Sequence, residues 1–277
     1  MALHARKNTM DLLSASNEKD IAPNVDRPLR IIINGIHSKS GGGVTYLRKI
    51  LPILGKMQEL EIHLFIHKKQ FDLFYPVDEN INVNIFSYKE EFFRTLIWEQ
   101  ITIPIKAWAI RADAVFSPAN FGPIFAKNHV ILLRNAVSVI KLTQNPRTVL
   151  YWLGLSMATF ISFILAKKAI AVSAYAKKLL TFGLPERITN KCSVVHHGVD
   201  YENSKENSIN IRGEDLLAVS DIYVQKNYDT LIRAIALLAK KRPKIRLKII
   251  GQAIDLHYLK KLKSLIIKLN VKDNIVF

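Results

Sequence analysis

Cysteine is almost missing from this chain of 277 residues: Cys192 stands alone, so no internal disulfide and no cysteine-rich zinc site can form, and a reducing compartment fits best. The 8 histidines are scattered without H-E-x-x-H or other close ligand spacing, so no metal is expected. G-x-S-x-G does not occur, which argues against an α/β-hydrolase, and neither G-x-G-x-x-G nor G-x-x-x-x-G-K-[ST] is present, so the dinucleotide and P-loop fingerprints both fail. Residues 1–28 hold no apolar run of the length a secretory signal needs and are expected to form a flexible extension. Acidic residues are scarce as well: 23 Asp and Glu face 40 Lys and Arg, leaving a net charge of +17. Such a field favours phosphorylated ligands, anionic lipid or nucleic acid. Nucleic acid is not expected as a partner, because no RNP-like aromatic motif or helix-turn-helix signature accompanies the charge.

What is present is an ordinary globular composition, 49% hydrophobic, laid out as alternating strand and helix patterns. Apolar runs predict strands at 29–34, 61–66, 83–86, 114–117, 130–133, 169–173 and 193–195, with helices at 44–57, 92–109 and 174–182. The uncharged stretch 148–166 predicts a further helix, either buried between layers or pressed flat on a membrane, since Gly154, Ser156, Thr159 and Ser162 dilute it as a spanning segment. Polar residues 201–213 read as a linker. Beyond it, strands are expected at 216–220, 245–250 and 274–277 and helices at 227–240 and 256–269. The expected fold class is α/β, with two Rossmann-like, doubly wound parallel-sheet domains at 29–200 and 214–277. Three strands are few for a covered sheet, so the second domain is expected to be incomplete and the chain truncated.

Two places in this pattern suit an anion. Gly41, Gly42 and Gly43 follow the first strand and open a helix, where backbone amides without helical partners can approach a phosphate. Lys226 follows the strand at 216–220 and directly precedes a helix, where an ammonium group can balance charge growing on a departing diphosphate. The set Gly41–Gly42–Gly43–Val44–Thr45–Tyr46–Leu47, Ala171–Val172–Ser173, His197–Gly198–Val199–Asp200, Val219–Ser220 through Lys226–Asn227, and Ile249–Ile250–Gly251 resembles the family 4 glycosyltransferases of the GT-B fold. The absence of Asp-x-Asp agrees, since that pair holds a divalent ion in the other common glycosyltransferase fold.

The resemblance implies a retaining glycosyltransferase, hexosyltransferase-like, that moves a sugar from a nucleotide-diphosphate-sugar to a glycan or lipid-linked acceptor, as in cell-surface polysaccharide or lipopolysaccharide synthesis. It implies no cofactor and no metal. By position, Gly42 and Gly43 would face the donor diphosphate and Lys226 would bind it. Asn120, Arg134 and Asn135, which follow strands, and His37, near the glycine turn, are the other polar residues expected in the cleft. No catalytic residue is assigned. Two departures stand out: Asp221 occupies a position where many members place an Arg, and the family's paired glutamates would lie beyond Phe277. The same glutamate spacing at Glu91 and Glu99, and at Glu206 and Glu214, reads as coincidence, and the chain is expected to be inactive in its truncated form. Basic residues at 240–248 are expected to permit peripheral contact with an anionic membrane on the cytoplasmic side. The rival reading is a non-catalytic module that binds anionic glycan or membrane surfaces.

Overall fold

The computed structural model describes residues 27–134, 146–198 and 215–277. The expected extension up to residue 26, the 201–213 linker and Asn135 lie outside the described residues. Strand β1 (Leu29–Asn34) leads to helix α1 (Gly41–Leu54), then β2 (Leu60–His67), the single turn α2 (Phe71–Phe74), β3 (Ile81–Phe86), α3 (Phe92–Ala109), β4 (Ala114–Ser117) and β5 (His129–Leu133). Next come α4 (Pro146–Leu165), β6 (Lys168–Ala171), α5 (Ala174–Leu180), the turn α6 (Glu186–Thr189) and β7 (Cys192–Val194). A separate sheet follows: β8 (Asp215–Val219), α7 (Tyr228–Ala239), β9 (Arg246–Ile250), α8 (Leu256–Lys268) and β10 (Ile275–Val276). The larger sheet runs β3-β2-β1-β4-β5-β6-β7 and the smaller β10-β9-β8. Every pair whose register is described is parallel. The fold is the α/β class expected.

Each sheet has a physical cause in the sequence. Parallel strands buried on both faces read as apolar runs, and Ile32 and Ile33 of β1 are fully buried. By compactness the chain divides into Met1–Val130 and Ile131–Phe277. In the first unit, α1 packs Val44, Leu47 and Leu51 on Ile33, Ile62, Leu64 and Ile66, while α3 packs Ile103 and Ala107 with Ile32, Phe65 and Val115. In the second, Ile131, Leu133, Phe163, Ala169 and Leu180 form one cluster, and Ile232, Ile235, Leu247, Ile249, Leu262 and Ile266 form another beneath α7 and α8. Leu217, Val219, Ile250 and Val276 are exposed, so the face of the smaller sheet turned away from these helices has no cover among the described residues.

Two differences from the sequence reading are informative. Helix α1 starts at Gly41, so the glycines form its first turn rather than a turn before it; Ser40 is extended and Gly41 takes φ 56°. The helix expected at 148–166 is α4, and it is neither wholly buried nor wholly exposed. Thr159, Ser162 and Phe163 face inward, while Leu150, Leu153 and Met157 face out. Lys191 closes its end, donating from Nζ to the Ile164 and Ala166 carbonyls at 2.8 and 3.0 Å. Among the described residues no helix is long and apolar enough to cross a membrane.

The smaller sheet depends on one glycine. A Cβ built on Gly251 would lie 2.0 Å from the Ser220 carbonyl oxygen, because the ends of β8 and β9 approach backbone to backbone. Gly251→Ala is expected to destabilise this unit by about 2–4 kcal/mol, the range of strain and overpacking defects. Urea unfolding followed by far-UV circular dichroism measures it, and an unchanged midpoint would contradict the close approach.

Candidate functional site

Strands β1, β2 and β3 add in one direction and β4 lies on the other side of β1. The carboxyl ends of β1 and β4 therefore form a topological switch point, where open α/β sheets bind ligands. The last residue of each strand is polar and buried there: Asn34 on β1 and Ser117 on β4. Both are drawn into one network by Glu99, which α3 delivers from the core side. Thr95, Glu99, Ile103 and Ala107 recur every four residues and form the buried stripe of that helix. Asn34 Nδ2 donates to Glu99 Oε1, and also to Ser117 Oγ at 3.3 Å. His37 Nε2 lies 2.8 Å from Glu99 Oε2. As a carboxylate only accepts, the N–H at His37 Nε2 donates to Glu99.

His37 stands in the loop between β1 and α1, and its ring meets Phe121 edge to face at 4.7 Å. That contact brings it against the loop after β4, which carries the buried Asn120. The β1–α1 loop is itself fixed by Gln70, whose buried Nε2 donates to the Gly35 and Ser38 carbonyls at 3.0 and 2.9 Å. Beyond it, α1 begins without a side-chain cap and without an acidic residue in its first turn. Gly42 has open space where a side chain would stand, and Gly43 is buried. Unpartnered amides at the positive end of a helix favour an anion.

Deeper in the sheet, His129 on β5 contacts Ser117 Oγ through Nε2 at 3.2 Å, while its Nδ1 is buried with no hydrogen-bond partner among the described residues. Burial pushes its pKa down to about 4, so the ring is neutral near pH 7. Gly122 permits the contact, since a Cβ there would lie 2.2 Å from Ser117 Oγ and 2.5 Å from His129 Nε2. Neither Glu99, Gln70 nor His129 stands out in the sequence as a site residue. Glu99 had a signal, the four-residue spacing that aligns it with Thr95 and Ile103.

In the second unit, Arg134 lies half-buried immediately after β5. Lys226 ends a short helical turn after β8 and is exposed, its Nζ 5.6 Å from the centre of the Tyr223 ring. Asn227 takes φ 52° and turns the chain into α7. The start of α7 is tied to the end of β8 by Tyr228, whose hydroxyl donates to the Ser220 carbonyl at 2.9 Å and lies 2.8 Å from Ser220 Oγ. Asp221 has a structural role at the same edge: its Oδ1 accepts from the Gln252 amide at 3.3 Å, joining the ends of β8 and β9. The loop thus presents one ammonium group beyond the carboxyl end of a strand and beside a helix start. Among the described residues no three His, Cys, Asp or Glu side chains come together as metal ligands do.

Comparison with known proteins bears on the fold. Residues 200–277 match the family model described as glycosyl transferases group 1. No curated protein sequence matches the chain significantly. Among solved structures, HepE of Anabaena in complex with UDP and glucose is similar at a TM-score of 0.59, with 16% identity over 90% of this chain and 68% of that one. A glycosyltransferase of Rickettsia africae is similar at 0.53, with 18% identity over 90% of this chain and 67% of its own. The UDP-GlcNAc 2-epimerase of Neisseria meningitidis bound to UDP-GlcNAc is similar at 0.51, with 12% identity over 90% and 70%. The fold is that of GT-B glycosyltransferase structures, and epimerases have it too.

Two outcomes follow from the buried network. Glu99→Ala leaves the His37 ring without its acceptor and the Asn34 amide with Ser117 alone, and is expected to cost about 3 kcal/mol, with Glu99→Gln costing less, measured by urea unfolding. His129 has a folded pKa of about 4 against an ordinary 6.5, so protons favour the unfolded chain. Its contribution is complete above about pH 6.5, is lost as the pH falls toward 4, and amounts to about 3 kcal/mol. His129→Asn should flatten that part of the stability curve in urea titrations at stepped pH. A curve unchanged in slope would remove His129 as the cause.

Proposed function

We propose that this chain belongs to an enzyme that transfers a sugar from a nucleotide-diphosphate-sugar to a hydroxyl of a glycan or lipid-linked acceptor, in the synthesis of cell-surface polysaccharide or lipopolysaccharide. The observation that carries this reading is the match of residues 200–277 to glycosyl transferases group 1, because the segment includes the β8–α7 loop with Lys226. The UDP, glucose and UDP-GlcNAc named for the structural neighbours support a nucleotide-sugar donor.

Cleavage of the donor leaves a diphosphate that gains negative charge. Lys226 is assigned to that diphosphate: its side chain is exposed and stands beyond a strand end as this chemistry requires. Gly42 and Gly43 are assigned to phosphate oxygens through the amides at the start of α1. Asn120 and His37, at the switch point of the first unit, are assigned to sugar or acceptor hydroxyls, and Arg134 to a cleft anion. Retention of anomeric configuration and the need for no cofactor, taken from the resemblance to family 4, and action at the cytoplasmic face of a membrane, taken from the lone cysteine and the basic residues at 240–248, complete the proposal.

Isothermal titration of the purified chain with UDP tests the assignment of Lys226. Lys226→Ala should weaken UDP binding about tenfold, the effect of losing one charge-assisted contact, and leave the circular dichroism unchanged. Equal affinity in the variant would remove the assignment. With UDP-sugar as substrate, a transferase releases UDP in step with acceptor use, whereas an epimerase leaves the nucleotide-sugar bond intact.

A further inference from the structure

Helix α3 has an inner stripe that the core explains and an outer one that it does not. An amphipathic helix on a globular surface turns polar residues outward. α3 instead exposes Ile97, Ile101, Ile105 and Trp108 by 61%, 57%, 59% and 83%. Intervals of four, four and three residues set these side chains in one row along the helix. Arg94 stands at one end of the row, and Lys106 and Arg111 at the other, all exposed. Between Phe92 and Arg111 the sequence has one acidic residue, Glu99, and that one faces the core at 0% exposure. The outward side is thus apolar along its length and carries no acidic residue of the helix; Lys106 and Arg111 make one end basic, while at the other Arg94 is paired with Glu91 at 3.0 Å.

We propose that α3 is the surface on which this chain lies against an anionic phospholipid bilayer. Three features select lipid over a protein partner. A second copy would carry the same +17 charge and the same basic end, so its approach is opposed, whereas anionic headgroups attract it. Trp108 is placed at the end of the row, as tryptophans sit at the level of the headgroups. The helix has 18 residues interrupted by Arg94 and Lys106, and no described helix is apolar enough to cross, so it rests in the interface with its row immersed. The inference specifies where the membrane contact of the proposed function is made, while resting on α3 and not on the assignment of a reaction.

Sedimentation of the purified chain with vesicles of phosphatidylcholine mixed with phosphatidylglycerol tests it. The expected result is binding to these vesicles, weaker binding to phosphatidylcholine alone, and a loss of about tenfold or more in the triple variant Ile101→Gln, Ile105→Gln, Trp108→Gln. The substitutions are neutral and helix-forming, so they remove apolar area and leave the net charge as it was. Lys260→Gln with Lys263→Gln, exposed on α8 of the other unit, should change binding little. Should the triple variant fail to fold by circular dichroism, Trp108→Gln alone decides, and reduced binding supports the proposal. Equal binding of the variant and the parent overturns it, as does a parent that stays free of anionic vesicles. Self-association of the parent that the variant lacks, without vesicle binding, overturns it in favour of contact between copies. UDP titration of the same variant should match the parent, so failure here is distinct from failure of the donor assignment.

Discussion

A carboxylate sealed inside a protein has to be met by donors, and in the first unit this requirement organises everything near the switch point. Glu99 is taken out of water by its place on the inner stripe of α3, and the groups that satisfy it are the terminal side chain of β1 and an imidazole from the loop beyond. The position of His37 is therefore a consequence of helix packing. Asn34 shares its amide with Ser117, so β1, β4 and α3 are registered to one another through one polar centre at the point where the strand order reverses.

The larger elements were legible in the sequence because their causes are local. Strands buried on both faces are apolar runs, and the exposed row and buried stripe of α3 did not disturb a prediction of 92–109 that coincides with Phe92–Ala109. The short turns Phe71–Phe74 and Glu186–Thr189 escaped because four residues carry no period. The start of α1 was misplaced by three residues because glycine was read as a turn former, although an extended Ser40 and a left-handed Gly41 let the helix begin there.

The site was less legible, since its polar residues act across elements distant in sequence. Lys226 is singled out by its place after a strand and before a helix, a local relation that the structure keeps. Glu99 is joined to Glu91 only by a coincidental spacing of two glutamates, whereas the decisive relation is to Thr95, Ile103 and Ala107, which share its face. Gln70 looks like a surface residue between β2 and α2, and nothing in its neighbours announces that it reaches back over thirty residues to the β1–α1 loop. His129 was lost within an apolar strand. Asp221, at a position where many members of family 4 place an arginine, joins two strand ends, where a guanidinium would have no oxygen to accept the Gln252 amide.

The grip of Gln70 on the Gly35 and Ser38 carbonyls has an implication for recognition. A loop that must be immobilised when a ligand arrives subtracts its lost conformational freedom from the affinity. Here the segment from Gly35 to Ser38 is already held by one side-chain amide that no ligand has to displace. Whatever enters beside His37 meets a preorganised wall, and the entropy of ordering it has been settled during folding.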